Sequence, residues 1–220
     1  MEESRTGLSR GSDLDSNWIL HAEFSYAARA TLQADEDRVK VFTYFMTSVG
    51  ALVATLKLTS PGDYKELLAF GLILAGLSIF GFLSLLQLVK LRLAWLDGVR
   101  TMCLIKEHYL ESVQGRAHDA AFRWRSETIP RPERKWSVAF LMALLISLAS
   151  SASAGGAALL LMTAGLGSAK PIASGLAIAV TALVFSAQIL LWDRLCRERQ
   201  SGTPEAPPST ETAQAQSGEE

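Results

Sequence analysis

The sequence predicts an all-α membrane protein, with four transmembrane helices in two hairpins and with helical extensions into the cytosol. Two observations predict this class. The first is four long, mostly apolar stretches without charge: residues 41–56, 67–89, 137–163 and 172–192. Roughly 20 apolar helical residues cross the hydrocarbon core of a bilayer, which is about 30 Å thick. The second is that basic residues cluster in alternate segments between and beyond these stretches.

The N-terminal region predicts a cytosolic helix that continues into the membrane. Residues 1–14 are rich in Gly, Ser and mixed charge, which is typical of disorder. A helix is expected over residues 15–40. Because residues 17–49 contain neither Pro nor Gly, this helix should continue into the first span, residues 41–60. The long Lys57 side chain can reach the membrane surface, so the span can extend past it to residue 60. No signal peptide is expected, since residues before the span lack an apolar core of suitable length.

The next segment predicts the first hairpin and a second cytosolic helix. A Thr-Ser-Pro-Gly-Asp turn signal precedes the second span, residues 67–89, and completes hairpin 1, residues 41–89. Residues 90–135 should begin as a cytosolic helix and end as a basic connector. Apolar side chains recur there at helical spacing, and we call four of them the docking stripe: Trp95, Val99, Met102 and Tyr109. Such a stripe needs a partner, and both the N-terminal helix and another protein are candidates.

The second hairpin, residues 136–192, is rich in small side chains. Its spans are residues 137–163 and 172–192, and residues 149–158 are ten small residues in a row. Small residues let membrane helices approach closely, so we expect these helices to pack with each other or with neighbouring copies in a homo-oligomer. The residues expected to mediate helix packing are Ser153, Gly155, Gly156, Gly175 and Ala179. The polar tail, residues 193–220, should be disordered.

The distribution of basic residues predicts the topology. Of the 21 Lys and Arg residues, all but Lys57, Lys65 and Lys170 lie in the two terminal regions and the middle segment. The positive-inside rule then places both termini and the middle segment in the cytoplasm of a multi-pass cell (inner) membrane protein. The lipid bilayer is therefore the first expected partner.

The spans and motifs argue against transport chemistry and enzymatic activity. No charged residue lies within the four apolar stretches, and Lys57 stands only at the end of the first span, whereas proton relays and ion-coupled sites normally need an ionisable residue inside a span. Gln87 and Gln188 are the most polar residues of the spans, and we expect both to reach interfacial water rather than to bond across helices. No phosphate loop, zinc-protease motif or nucleophile elbow occurs. The sequence therefore predicts a non-enzyme without cofactor.

Metal and nucleic acid are also not predicted as ligands. The three histidines do not combine with other ligands at metal-binding spacing. The net charge is −1, and the basic middle segment also carries acids, so nucleic acid is not expected. Cys103 and Cys196 both fall on the predicted cytosolic side, where a disulfide is not expected.

Three consecutive acids precede the first span. Asp35, Glu36 and Asp37 could form an acidic ring at a pore mouth if copies assembled around an axis. The alternative is a solvated helix end, for which charge runs are typical.

Residues 17–114 combine a helix-hairpin-helix layout with scattered residues, listed here: Glu23, Tyr26, Arg29, Asp37, Arg38, Trp95, Leu96, Asp97 and Arg100. In this layout and these residues, the first half of the chain resembles small bacterial membrane proteins of the SLATT-like and RipA-like groups. It implies a membrane module that oligomerises and, in the SLATT groups, a proposed pore-forming effector of bacterial conflict systems. This chain differs in its second hairpin and in lacking a sensor domain, so any trigger would come from another protein.

Three functions follow as hypotheses. The first is a non-enzymatic membrane protein that self-associates, in its sharpest form the pore-forming component of a bacterial defence or stress system. The second is a scaffold or accessory subunit of another membrane complex, bound through a cytosolic partner protein. The third is a small transporter or membrane enzyme, which would require a polar cavity near the midplane.

Overall fold

Four α-helices make up the part of the chain that the structure describes. The computed structural model describes residues 9–59, 63–112, 137–166 and 170–201, with side chains over 18–58, 63–109, 137–164 and 171–197. The helices are α1 Ser9–Thr59, α2 Tyr64–Ser112, α3 Val138–Leu166 and α4 Lys170–Ser201. Each is long and apolar enough to span a membrane, which confirms the all-α class and the number of candidate spans.

Both α1 and α2 continue without a break through the predicted membrane boundary. They contain 51 and 49 residues, which at 1.5 Å per residue corresponds to about 75 Å each. A hydrocarbon core about 30 Å thick could enclose less than half of such a length. Each helix therefore has an extension beyond its apolar stretch, α1 toward its N-terminus and α2 toward its C-terminus.

Two helix ends differ from the predicted boundaries. α1 begins at Ser9, so residues 9–14 are helical although the sequence suggested disorder. α4 continues to Ser201, past the predicted start of the tail. The good helix formers Leu, Arg and Glu follow Trp192 there, and the first glycine is Gly202. The rest of the two predicted disordered ends, and the connector from residue 113 to 136, lie outside the described residues.

The four helices pack in the order α1, α2, α3, α4, with sequential neighbours antiparallel. The Phe45 ring of α1 lies 5.8 Å from the Phe80 ring of α2, whereas the C-terminal Lys106 of α2 lies over Phe24 near the start of α1. α2 packs most extensively with α3. This interface joins the two predicted hairpins, and no pattern in the sequence predicts it. α1 and α4 are the outer helices.

The core lies toward the end of the bundle where α3 begins and α4 ends. Its fully or nearly fully buried side chains come from all four helices and include Phe45, Leu88, Ile146, Trp192 and Cys196. The Phe140 and Trp192 rings meet edge to face, 6.3 Å apart. Cys103 and Cys196 are both buried, and they do not form a disulfide with each other.

Candidate functional site

A polar chain crosses three helices at the centre of the bundle. The Gln188 side-chain amide of α4 donates to Ser150 Oγ of α3 at 2.9 Å. Ser150 Oγ in turn donates to the Ser78 carbonyl oxygen of α2 at 3.1 Å. Ser78 and Ser150 stand at the middle of the second and third apolar stretches. Hydrogen bonds of this kind hold apolar helices together in a fixed rotation.

The burial of Gln188 corrects a sequence prediction. We expected this glutamine to reach interfacial water, but its side chain is only 2% exposed. Gln87 is exposed. The sequence did contain a signal for the burial of Gln188. A polar side chain in an apolar span favours a hydrogen-bond partner within the protein, because lipid offers none. Ser150 carried no signal of its own, since it lies within a run of small residues.

Glycines let the helices approach next to this polar chain. A Cβ added at Gly81 of α2 would lie 2.6 Å from Ser150 Cβ and 2.9 Å from a ring carbon of Phe45. A Cβ added at Gly155 of α3 would lie 1.9 Å from Thr181 Oγ1 and 2.9 Å from the Ala177 carbonyl oxygen. Both positions therefore exclude a side chain unless the neighbouring helix moves.

The five predicted packing residues separate into two groups. Gly155 contacts α4, Gly156 lies opposite Leu74 of α2, and Ser153 is buried with its hydroxyl donating to the Ala149 carbonyl of its own helix. Gly175 has nothing within 4 Å of an added Cβ, and Ala179 is exposed. The structure thus brings the α3 residues into helix contacts within the chain and leaves the α4 residues on an open face.

A stripe of small residues covers this open face of α4. Gly175, Ala179, Ala182 and Ser186 recur at spacings of four, three and four residues, so they share one side of the helix, and all four are exposed. We call these four residues the α4 stripe. The opposite side of α4 carries Ala177, Gln188, Trp192 and Cys196, which face the core.

The docking stripe lies on the part of α2 that packs against the α1 extension. Val99 is buried, and Trp95, Met102 and Tyr109 are partly buried. A Cβ added at Gly98 would lie 2.9 Å from Thr31 Cγ2 of α1. Trp95, Val99 and Met102 also line a cavity of about 290 Å³ together with Thr31 and Cys103. α1 is therefore the helix that lies beside this stripe within the chain.

The α1 extension also exposes four large side chains that no other described residue covers. Ala27, Thr31 and Ala34 are buried toward α2. On the opposite side, four large side chains are exposed, by 73% for Trp18, 54% for Ile19, 72% for Tyr26 and 67% for Leu32. We call these four residues the α1 outer face.

The three acids before the first span are paired within their own helix. Asp35 forms an ion pair with Arg38. Lys40 lies 3.1 Å from Asp37 and 3.9 Å from Glu36, measured from its amino group to a carboxylate oxygen. All three acids thus have a basic neighbour one turn away, which lowers the net negative charge that an acidic ring of this segment could present.

Among the described residues, no group of three or more His, Cys, Asp and Glu side chains could hold a metal ion. The chain matches no protein-family model, and neither a curated protein nor a solved structure is detectably similar to it.

Proposed function

We propose that this chain is an integral membrane protein that spans the cell inner membrane as two hairpins, with both termini in the cytoplasm. The distribution of basic residues supports this orientation. Large apolar side chains are exposed along the candidate spans, as is typical of lipid-facing positions. Examples on the three later helices are Ile79, Leu83, Leu148, Ile178 and Leu183.

We further propose that the protein is non-enzymatic and self-associates. The α4 stripe is the observation that carries this proposal. Stripes of small residues at this spacing allow two membrane helices to approach until their backbones touch, and this stripe faces away from its own chain. Copies in one membrane share one orientation, so α4 can pack beside α4 of a second copy in parallel.

The α1 outer face provides a second contact surface beyond the membrane. Trp18 precedes the first span by 23 residues, or about 35 Å of helix. At that height its exposed apolar surface faces water rather than lipid, and a patch of this kind marks a protein contact. We assign a second copy of the chain to it.

The test compares the mass of the purified protein with that of two glycine variants. Gly175 and Gly76 are both exposed and have nothing within 4 Å of an added Cβ, so a leucine at either place begins in open space and is directed away from the other described helices. We expect Gly175→Leu to dissociate the assembly and Gly76→Leu to leave it intact. Native mass spectrometry or light scattering in detergent measures this. A wild-type protein that is monomeric under all conditions would overturn self-association.

A pore-forming role in a bacterial defence or stress system is the sharpest form of the proposal. The resemblance of residues 17–114 to SLATT-like proteins supports it, as does the position of Asp35, Glu36 and Asp37 directly before the first span. The expected result is dye or ion release from liposomes that contain the oligomer. Intact liposomes across lipid mixtures and partner conditions would remove the pore from the proposal and leave the oligomer.

The alternative function is that of a scaffold or accessory subunit. The α1 outer face favours it equally, because another protein could cover Trp18 and Tyr26. A monomer in detergent together with a stoichiometric partner on purification would favour this function. A small transporter has less support, since it would require a polar cavity near the midplane, and the described cavities at the first turn of α3 and beside the α1 extension lie away from it.

A further inference from the structure

A cavity of about 540 Å³ opens between α1, α2 and α3 at the end where α3 begins. Two arginines from different helices line it. The Arg38 side chain of α1 is 12% exposed, and Arg92 of α2 is 7% exposed. The proposed self-association uses neither residue.

The charges in this cavity favour an anion. Among the residues that the structure describes, the charged ones lining it are Arg38, Arg92 and Asp35, which together carry one positive charge. Asp35 forms an ion pair with Arg38, but its side chain is 62% exposed, so water screens this carboxylate. Two guanidinium groups that line one partly enclosed space repel each other, and an anion between them would replace this repulsion by two attractions.

Neighbouring groups hold Arg92 in place. Its Nη1 donates to Ser137 Oγ at 2.5 Å, and its guanidinium carbon lies 5.9 Å from the centre of the Trp192 ring. Ser137 also accepts from the Phe140 backbone N–H at 3.3 Å, as an N-cap does. The guanidinium is thus preorganised, which lowers the entropy cost of binding a ligand.

The start of α3 adds further donors to the same cavity. Val138 and Ala139, the first residues of α3, line it. Backbone N–H groups of a first helical turn have no partner within the helix, and the positive end of the helix dipole attracts anions. Planar guanidinium forks match the oxygens of a phosphate group.

The position of the cavity along the helices identifies the source of the phosphate. Arg38 precedes the first span by three residues and Arg92 follows the second span by three, about 4.5 Å beyond each end. Ser137 is the first residue of the third span. In the topology proposed above, on which this step rests, all three lie at the depth of the cytosolic headgroups. The apolar lining residues Val39, Trp95 and Met142 suit the adjoining glycerol and acyl carbons.

We propose that this cavity binds a phosphate group, held by Arg38, Arg92 and the first turn of α3, and that an anionic lipid headgroup supplies it. Free inorganic phosphate has the same chemistry and is the other source to be distinguished. Basic pockets between helices on the cytoplasmic side are suited to such headgroups.

The experiment titrates the purified full chain with phosphatidylglycerol and follows bound lipid by native mass spectrometry. Salt of about 0.3 M shortens the screening length below 8 Å, so general surface attraction is weakened. We expect Arg92→Gln to weaken binding about tenfold or more, since it removes a charge-assisted contact. The control is Lys90→Gln. Lys90 is exposed, stands two residues before Arg92 and does not line the cavity, so its variant should bind within about twofold of wild type.

A parallel titration with inorganic phosphate separates the two sources. Phosphatidylglycerol binding without phosphate binding assigns the site to the lipid, and phosphate binding that Arg92→Gln removes assigns it to the free anion. Arg38→Gln provides a second variant if Arg92→Gln alters the helical circular dichroism. If Arg38→Gln binds both ligands as tightly as the wild-type protein does, the proposed site is wrong. Flotation with vesicles reports insertion separately, so a failed topology is distinguishable from a failed site.

Discussion

Gly155 lies where α3 meets α4 without room for a side chain. An added Cβ would come within 1.9 Å of Thr181 Oγ1, which could rotate, and within 2.9 Å of the Ala177 carbonyl, which belongs to the backbone. The Thr181 hydroxyl already donates to that same carbonyl at 2.9 Å. One missing methyl group thus lets the backbones of two helices come close and positions Thr181 between them.

Gly155→Ala should destabilise the protein by about 1–3 kcal/mol, the usual cost of overpacking. The rigid Ala177 carbonyl is the reason, because rotation of Thr181 cannot relieve that contact. Unfolding in detergent mixtures or the thermal midpoint measures the effect. Gly76→Ala is the matched control, since it enters open space and brings the same gain in helix propensity, so it should leave stability unchanged or raise it by up to about 1 kcal/mol. Equal stability of the two variants would contradict the close α3–α4 contact.

The α1 extension is an element with two apolar sides and one internal partner. Ala27 and Thr31 of its inner side face α2, where Gly98 and the docking stripe meet them. The buried Thr31 hydroxyl donates to the Ala27 carbonyl of its own helix at 2.6 Å, so it has a partner inside the interface. Trp18 and Tyr26 on the outer side have no cover from the described chain. In the proposed topology these side chains face water, and large exposed apolar side chains in water favour a second contact.

The packing of the two extensions should protect Cys103. Its thiol is buried beside α1, and burial raises the pKa of this thiol, so less of it is present as the reactive thiolate. The exposed neighbour Leu104 offers the comparison site. We expect Leu104→Cys, in a Cys103→Ser background, to react with a maleimide about tenfold or more faster than Cys103. Peptide mass spectrometry reports each rate, and equal rates would mean that the extensions separate in solution.

At the scale of the whole molecule, the helices form a row with two inner and two outer members. α2 and α3 share the largest interface, and the chain Gln188–Ser150–Ser78 connects α4 to both. The outer helices α1 and α4 carry two surfaces that no other described residue covers, the α1 outer face and the α4 stripe. In the proposed assembly, neighbouring copies therefore contact one another through both outer helices, α1 and α4.

The topology can be tested with two exposed positions. Asp63 lies in the connection between α1 and α2, and Arg197 lies near the end of α4. In the proposed orientation, Asp63→Cys should react with a membrane-impermeant maleimide in intact spheroplasts. Arg197→Cys should react only after lysis. Both variants need serine at the two native cysteines. The reverse pattern would overturn the placement of the termini in the cytoplasm.

The sequence predicted the surroundings of some residues of the candidate site but not of others. Gly155 was predicted to mediate helix packing because small side chains in an apolar span favour close approach, and it lies next to Thr181 and Ala177 of α4. Gly175 had the same local signal but faces outward. Gln188 was misplaced because its depth in the span suggested water, while its rotation about α4 directs it to Ser150. Arg38 and Arg92 were counted for topology, and their common cavity was not foreseen.

The sequence by itself determined that four helices form, roughly where each apolar stretch begins and ends, and that α1 and α2 run on past it. These properties depend on residues close together in the chain, through hydrophobic length, helix propensity and the absence of breakers. Only the tertiary structure decided that α2 and α3 form the centre, that Gln188 is buried, and which glycines face a neighbour. Those outcomes depend on the rotation of each helix about its axis and on partners far apart in sequence, neither of which a local pattern contains.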